Sequence, residues 1–376
     1  MTGSGTGLGA EVYRGPAGLE ALRPRWQTLQ AQLAVQRFFH AWDWYQAWLL
    51  ELAERPEEVC FIAVERAGRL LAVVPLVPTR RPGVAGGLRV LELPAHSHLP
   101  LADVLCHPEL DAPSLLRAVA DGLRRGRVAW DLLQFDNVLD ESVLARCVVP
   151  AVPRAARHML KTCDFIGCDR PWDDYAAGLS ANFRSNLNKA RNKLAREAAV
   201  EFEIARAPDA LRAMMPDFLQ IEASGWKGDA GTAILRSPRL AAFYARLLAT
   251  YGARDAALLS RLRVAGRTIA AEFCLVDNAT LYMIKLAYDE SAAKLSPGNS
   301  LLERMFRSIH KDLGLRYVNL VGSPPWFAHW NPERVPVWRV RVYNSTLAGR
   351  LEWLGRGVRA AVGSWLRRRR AVSASE

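Results

Sequence analysis

Residues 255–289 set the strongest limit on what this chain can fold into. Three apolar-rich runs follow one another there, DAALLSRLRV, RTIAAEFCLVD and TLYMIKLAYD, with only Ala265-Gly266 and Asn278-Ala279 as their turns. Connections that short join antiparallel neighbours. The next stretch supplies a crossover: the loop SAAKLSPGNS opens a helical run to about Gly314, which leads into the strand RYVNLVG and a last strand, PVWRVRVYN. Antiparallel strands followed by a single β-α-β crossover imply a mixed sheet with helices on both faces.

Upstream, this half begins with a basic helix (Phe183 to Glu197), the strand VEFEIAR and helices from about Pro208 to Ser224 and Ser237 to Tyr251. The first half offers the same order less legibly. A strand near Val12, a helix from about Pro16 to Leu33 and a Trp-rich helix in FFHAWDWYQAWLLELAE precede the hairpin EVCFIAVERAG/RLLAVVPLVP, which turns at Ala67-Gly68. The strand LRVLELP, a helix from Pro113 to Arg125, the strand WDLLQFDNV and a strand near Cys163 complete it. The order β-α-α-β-β-β-α-β thus occurs twice, which implies a tandem duplication resting on element order alone. The expected division is a first domain at 1–168, a second at 169–345 and a tail at 346–376, a size that suits two domains.

Half of the residues are apolar, and Lys plus Arg exceed Asp plus Glu by 12. That balance favours anionic partners, whether phosphate-bearing cofactors, nucleic acid or membrane surfaces, without choosing among them. The six cysteines (Cys60, Cys106, Cys147, Cys163, Cys168, Cys274) have neither the density of a disulfide framework nor zinc spacing. His96, His98 and His107 beside Cys106 also fit no common zinc pattern, so no metal is expected. The beginning MTGSGTGLGAEVYRG lacks a basic stretch followed by an apolar one, and no later run has the length of a membrane span. A cytoplasmic protein is expected.

Four segments carry a family likeness: F-R-S-N-L-N-K-A-R-N-K-L (Phe183 to Leu194), E-A-S-G-W-K-G (Glu222 to Gly228), Y-M-I-K-L-A-Y-D-E (Tyr282 to Glu290) and S-P-G-N-S-L-L (Ser296 to Leu302). Together they resemble the acetyltransferase domain of CelD/BcsL-like proteins, in the GNAT superfamily, over about residues 170–345. In the first half the likeness is thinner, resting on the aromatic segment Phe39 to Trp48 and the A-V-V-P-L strand. The resemblance implies an α/β (α+β) fold of tandem GNAT-like domains, each a mixed, mainly antiparallel sheet flanked by helices. It further implies acyl transfer from acetyl-CoA or another acyl-CoA, with exopolysaccharide biosynthesis as the pathway often attached to such proteins. Fem-type aminoacyl-tRNA-dependent transferases also pair two GNAT-like domains and are the alternative.

Ser296, Pro297, Gly298, Asn299 and Ser300 form the expected cofactor site. Pro fixes the chain direction, Gly clears a side chain, and the N–H groups of a helix start can hold a phosphate. In GNAT enzymes this junction holds the CoA pyrophosphate; the plainer reading is an ordinary helix start. Acyl transfer needs a base for the nucleophile and a donor for the departing thiolate. Glu222, at a helix end before Trp226-Lys227, is the first candidate base. Glu272, within the apolar run I-A-A-E-F-C-L-V, is the second, since an unpaired carboxylate is costly to bury there. Tyr282 and Tyr288 are candidate proton donors expected to share one strand face, with Lys285 on the other. Trp226, Lys227, Lys285, His98 and Trp330 are expected to contact substrate. Each has a structural alternative, from a solvated helix-end carboxylate to an aromatic plug.

The helix Phe183 to Glu197 places Phe183, Leu187, Ala190 and Leu194 on one stripe and Arg184, Lys189, Arg191, Lys193 and Arg196 around the rest, either as a solvated face or to steer an anionic ligand. Leu347, Leu351, Leu354, Val358, Val362 and Trp365 recur at helical spacing before Arg367 to Arg370, the pattern of an interfacial helix that could meet the inner face of a membrane. The expected function is acyl transfer to an amine or hydroxyl of a small polar or sugar-linked acceptor. The alternatives are aminoacyl-tRNA-dependent transfer and a non-catalytic membrane-associated binding protein.

Overall fold

The computed structural model describes residues 7–83, 86–146, 152–197, 199–224, 233–311 and 313–356. The first half of the chain runs β1 (Leu8–Arg14), α1 (Gly15–Gln32), α2 (Trp42–Glu51), β2 (Cys60–Arg66), β3 (Arg69–Gly83), β4 (Gly86–Glu92), a two-residue β5 (Leu105–Cys106), α3 (Ala112–Arg125), β6 (Leu132–Leu139) and β7 (Ala155–Gly167). The second runs α4 (Trp172–Ala177), α5 (Ala181–Leu194), β8 (Val200–Ala205), α6 (Pro208–Ser224), α7 (Pro238–Gly252), β9 (Ala257–Val264), β10 (Arg267–Asp277), β11 (Thr280–Tyr288), α8 (Pro297–Lys311), β12 (Tyr317–Asn319) and β13 (Glu333–Tyr343). The doubled element order expected from the sequence is therefore present. Its hairpin turns hold both central residues at positive φ, Ala67 and Gly68 at 50° and 77° and Ala265 and Gly266 at 49° and 79°. That geometry matches the twist of paired strands.

Packing divides the chain into two compact units, neither of them one continuous stretch: residues 1–33, 55–160 and 337–376, and residues 34–54 with 161–336. In the first unit the strands lie in the order β1-β2-β3-β4-β6-β13, antiparallel except for the β4–β6 pair. Alternation along β2 sends Cys60, Ile62 and Val64 to one face, against Leu115, Val119 and Leu123 of α3, while Phe61 meets Trp26 of α1 on the other.

The second unit repeats this plan as β7-β12-β11-β10-β9-β8, where only β11–β12 is parallel. On one face Leu302, Met305 and Phe306 of α8 and Phe183 and Leu187 of α5 cover Leu258, Cys274 and Met283. On the other, Phe273 lies between Phe218 of α6 and Tyr244 of α7.

The sequence division at 168 follows chain order, whereas each packed unit takes a piece from the other half. The end of β7 pairs with β12 through Phe165 to Gly167, and β13 pairs with β6 through Val337 to Tyr343. The segment 34–54 also packs in the second unit, where Trp44 meets Phe243 at 5.6 Å and Phe38 at 4.7 Å. Trp42, Trp44, Tyr45 and Trp48 are all buried, and so many large rings on one short helix need a core around them.

Two outcomes follow. A fragment of residues 169–345 lacks this aromatic segment and is expected to bind a hydrophobic dye and to melt without a cooperative transition. In the full chain, Trp44→Ala is expected to lower stability by about 3–5 kcal/mol in denaturant titration, the range for a large core truncation.

Candidate active site

β11 is held to β12 by three residue pairs only, Thr280 to Tyr317, Leu281 to Val318 and Tyr282 to Asn319. β12 ends there, while β11 continues to Tyr288. From Met283 onward the edge of β11 that faced β12 has no strand partner in the ladder, although the other edge stays paired with β10 as far as Tyr288. Two parallel strands that part in this way offer backbone donors and acceptors to an extended ligand.

The open edge leads to the start of α8. A short 3-10 turn, Glu290–Leu295, is capped by Asp289, whose Oδ1 accepts the Ser291 N–H at 2.9 Å. Ser296 turns the chain in the left-handed region at φ 50°, and Pro297 begins the helix. Pro has no N–H, and the Ser300 N–H donates to the Ser296 carbonyl at 2.9 Å. The amides of Gly298 and Asn299 therefore remain as the unpaired donors of a helix start, where the dipole favours an anion. A Cβ on Gly298 would come no nearer than 3.5 Å to any neighbour, the ring of Tyr288, so the approach over this residue is clear. The Ser300 hydroxyl donates to the Leu295 carbonyl at 3.0 Å, and Asn299 Oδ1 accepts the indole N–H of buried Trp330 at 3.2 Å. Ser300 and Asn299 thus shape the loop with their side chains.

Basic groups gather beside it. Lys193 of α5 donates to the Lys294 carbonyl at 3.2 Å, which sets its ammonium on the loop. Other cations of α5 are committed elsewhere: Arg191 pairs with buried Glu303 of α8, and Arg184 donates to the carbonyls of Ala177 and Leu179. The basic face is therefore partly an internal brace. On the α6 face, a cavity of about 290 Å³ is lined by Asp217, Gln220, Ser224, Arg263, Thr268 and Asp289.

Beyond the last β12 pair, Val321 has φ 51°, a left-handed conformation strained for a β-branched residue. Asn319 Oδ1 holds it there by accepting the Val321 N–H at 2.7 Å. On the adjacent strand lies Asp164, fully buried, whose Oδ1 accepts from Ser323 Oγ at 2.5 Å and lies 3.5 Å from Nε of Arg334. Thr162 donates to Ser323 Oγ at 2.8 Å. Strain and a buried charge at one place are what functional sites accumulate. None of these residues stood out in the sequence; the signals present were one Asp in the apolar run T-C-D-F-I-G and a V-G-S-P turn after a strand.

The residues singled out from sequence are dispersed. A bulge sets Met283 opposite Cys274 but Lys285 opposite Phe273, with Ile284 as the extra residue. This corrects the regular alternation: Tyr282 and Lys285 share a face, and Tyr288 is on the other, beside Gly298. Tyr282 is fully buried against Phe38 and Phe39, and its hydroxyl accepts from Arg37 at 2.8 Å. Tyr288 is 45% exposed. Glu222 is buried, and its Oε2 accepts the Ile234 N–H at 2.8 Å, tying the end of α6 to the turn before α7. Trp226 and Lys227 lie outside the described residues. His98 is buried in the first unit, 5.4 Å from the ring of His96.

Glu272 is fully buried under α8, where neighbouring Ala270 and Leu262 pack against Leu301. Its Oε1 accepts from Ser260 Oγ at 2.8 Å, and burial pushes the carboxyl up to about 7 despite that bond.

Residues 181–328 match the family model of the acetyltransferase (GNAT) domain. This part of the chain is similar to GNAT domains. The match runs from α5 past the end of β12, so the open strand edge and the start of α8 both fall inside the matched residues. Solved structures share the wider fold. FemX is 9% identical over 86% of this chain and 96% of its own, with a TM-score of 0.57. L-PGS from Bacillus licheniformis is 13% identical over 92% and 97%, with a TM-score of 0.53. The C-terminal domain of a putative lysylphosphatidylglycerol synthetase from Agrobacterium fabrum is 11% identical over 89% and 95%, with a TM-score of 0.52. At such identities the likeness is one of fold. No curated protein sequence matches the chain.

The raised carboxyl of Glu272 gives a signed expectation. A folded value of about 7 against 4.5 means that the native state holds its proton more tightly, so this residue's contribution to stability is full below pH 4.5 and falls as pH rises to 7. The loss amounts to about 3 kcal/mol at 1.36 kcal/mol per unit. Glu272→Gln cannot ionise, so its melting temperature relative to the unaltered protein is expected to rise steadily between pH 5 and pH 8. A pH-independent difference would contradict this.

Proposed function

We propose that this protein is an acyltransferase that moves an acyl group, acetyl in the simplest case, from acyl-CoA to an amine or hydroxyl of a small polar or sugar-linked acceptor. The observation that carries the reading is the parting of β11 from β12 beside the free amides of Gly298 and Asn299. An extended pantetheine could pair with the open edge of β11, and a pyrophosphate could sit on the helix start with Lys193 and Lys294 nearby. The residues fit such a donor: the approach over Gly298 is clear, and the charge around the loop is of the right sign.

The pathway suggested by the CelD/BcsL-like likeness, exopolysaccharide biosynthesis, belongs to this proposal, as does action in the cytoplasm. No described helix is long and apolar enough to cross a membrane. Contact with an anionic membrane would fall to the basic C-terminal segment, residues 357–376 of which lie outside the described ones. Transfer from aminoacyl-tRNA remains the second reading, and the likeness of fold to FemX bears on it. The engagement of Arg184 and Arg191 within the protein leaves α5 fewer cations for a nucleic acid.

The test is calorimetric titration with acetyl-CoA and longer acyl-CoAs. Saturable binding is expected, weakened at least tenfold, about 1.4 kcal/mol, by Gly298→Trp and preserved in Gly298→Ala, whose Cβ fits. No binding of any acyl thioester would remove this reading. Salt-dependent tRNA binding in its place, with a slope of several released counterions, would favour the second. Removal of residues 357–376 is expected to abolish pelleting with anionic vesicles while leaving acetyl-CoA binding intact.

A further inference from the structure

We propose that Asp164 is the carboxylate that receives the acceptor, and that the acceptor is a primary amine. The inference rests on the acyl-CoA reading above for its donor but on separate residues for its site. Asp164 lies beside β12 at the point where β11 departs: the Leu320 N–H donates to the Asp164 carbonyl at 3.0 Å, and the Asp164 N–H donates to the Gly322 carbonyl at 3.0 Å, one step past the Tyr282–Asn319 pair. Its side chain is on the α8 face, in step with Ile166, which packs against Leu302 and Met305. An acyl group delivered along the open edge of β11 would arrive at this end of the ladder.

The carboxylate is fully buried, yet only one of its oxygens is used. Oδ1 takes the Ser323 hydroxyl and faces Arg334, while Oδ2 has no hydrogen-bond partner. A buried carboxylate oxygen without a donor costs several kcal/mol, and such a cost is retained where a ligand supplies the missing donor. Arg334 is 54% exposed, so the neighbouring cation is reached from solvent. Ser323, itself fixed by Thr162, orients the carboxylate so that Oδ2 remains for the incoming group. The donor that best matches a buried anion is an ammonium, since a hydroxyl brings no charge to offset the burial.

In the transfer, the bound ammonium passes one proton to Oδ2. The nitrogen lone pair then forms the C–N bond to the thioester carbonyl carbon as the C–S bond breaks. A second nitrogen proton ends on the departing sulfur, giving the CoA thiol, and Asp164 returns its proton to solvent. Val321, strained between Leu320 and Gly322, fixes the backbone around this point.

Ethylammonium serves as the probe, titrated into the full chain with backbone-amide NMR as the readout and ethanol as the neutral comparison. Saturable shifts at Ser323 and Arg334 are expected with ethylammonium in the millimolar range and absent with ethanol. Asp164→Asn, which removes the charge an ammonium would meet, is expected to weaken binding at least tenfold. Arg334→Ala keeps the carboxylate and removes the competing cation, so binding should tighten a few-fold. Absence of ethylammonium shifts, equal shifts with ethanol, undiminished binding in Asp164→Asn, or weaker binding in Arg334→Ala would each overturn the assignment. Acetyl-CoA binding measured on the same samples separates the two readings: its loss with ethylammonium binding retained would remove the donor and leave the Asp164 site standing.

Discussion

The parallel ladder between β11 and β12 ends where β12 ends, at Asn319, and is three residue pairs long. The chain leaves β11 at Tyr288, makes a 3-10 turn, reverses at Ser296 and returns along α8 before β12 begins at Tyr317. A parallel strand entered through a crossover helix starts beside its partner's beginning, and because β12 stops at Asn319 the later residues of β11 are left without one on that edge. The loop before α8, the open edge and buried Asp164 all take their positions from that mismatch. A longer β12 would close the edge and cover the site.

Polar groups inside the second unit fall into two kinds. Some act as ties: Glu303 holds Arg191 and Arg307, and Tyr282 takes the Arg37 guanidinium. Others are left partly unsatisfied, namely Glu272 and Asp164, each a fully buried carboxylate with one oxygen lacking a hydrogen-bond partner. Ties of the first kind stabilise the fold about the site. The second kind weaken it, and both lie on the α8 face of the sheet.

Much of the fold was legible in the sequence because it is encoded locally. Turns such as Ala265-Gly266, the alternation in β2 and the Pro297 helix start each depend on a few consecutive residues, and the doubled element order is their sum. The candidate site was legible only where it too is local, at Ser296 to Ser300. Tyr282 and Tyr288 were misplaced relative to each other because a bulge at Ile284, invisible in a run of apolar residues, reverses the alternation. Asp164 and Ser323 escaped notice because the pair they form spans 159 residues, as the bond from Cys163 to Asn319 spans 156, and no pattern of spacing reports such a pairing.

The sequence by itself determined the kind of each element, the antiparallel succession of β9, β10 and β11, and the need for a crossover to reach β12. Side-chain periodicity and connection length are enough for that. Tertiary structure alone decided that Trp44 is buried with Phe243 rather than in its own half, that β7 and β13 exchange sheets, and that burial brings the Glu272 carboxyl up to about 7. The physical reason is common to all three: burial and desolvation depend on which distant segment covers a residue, and an apolar helix or a lone carboxylate is compatible, as sequence, with more than one cover.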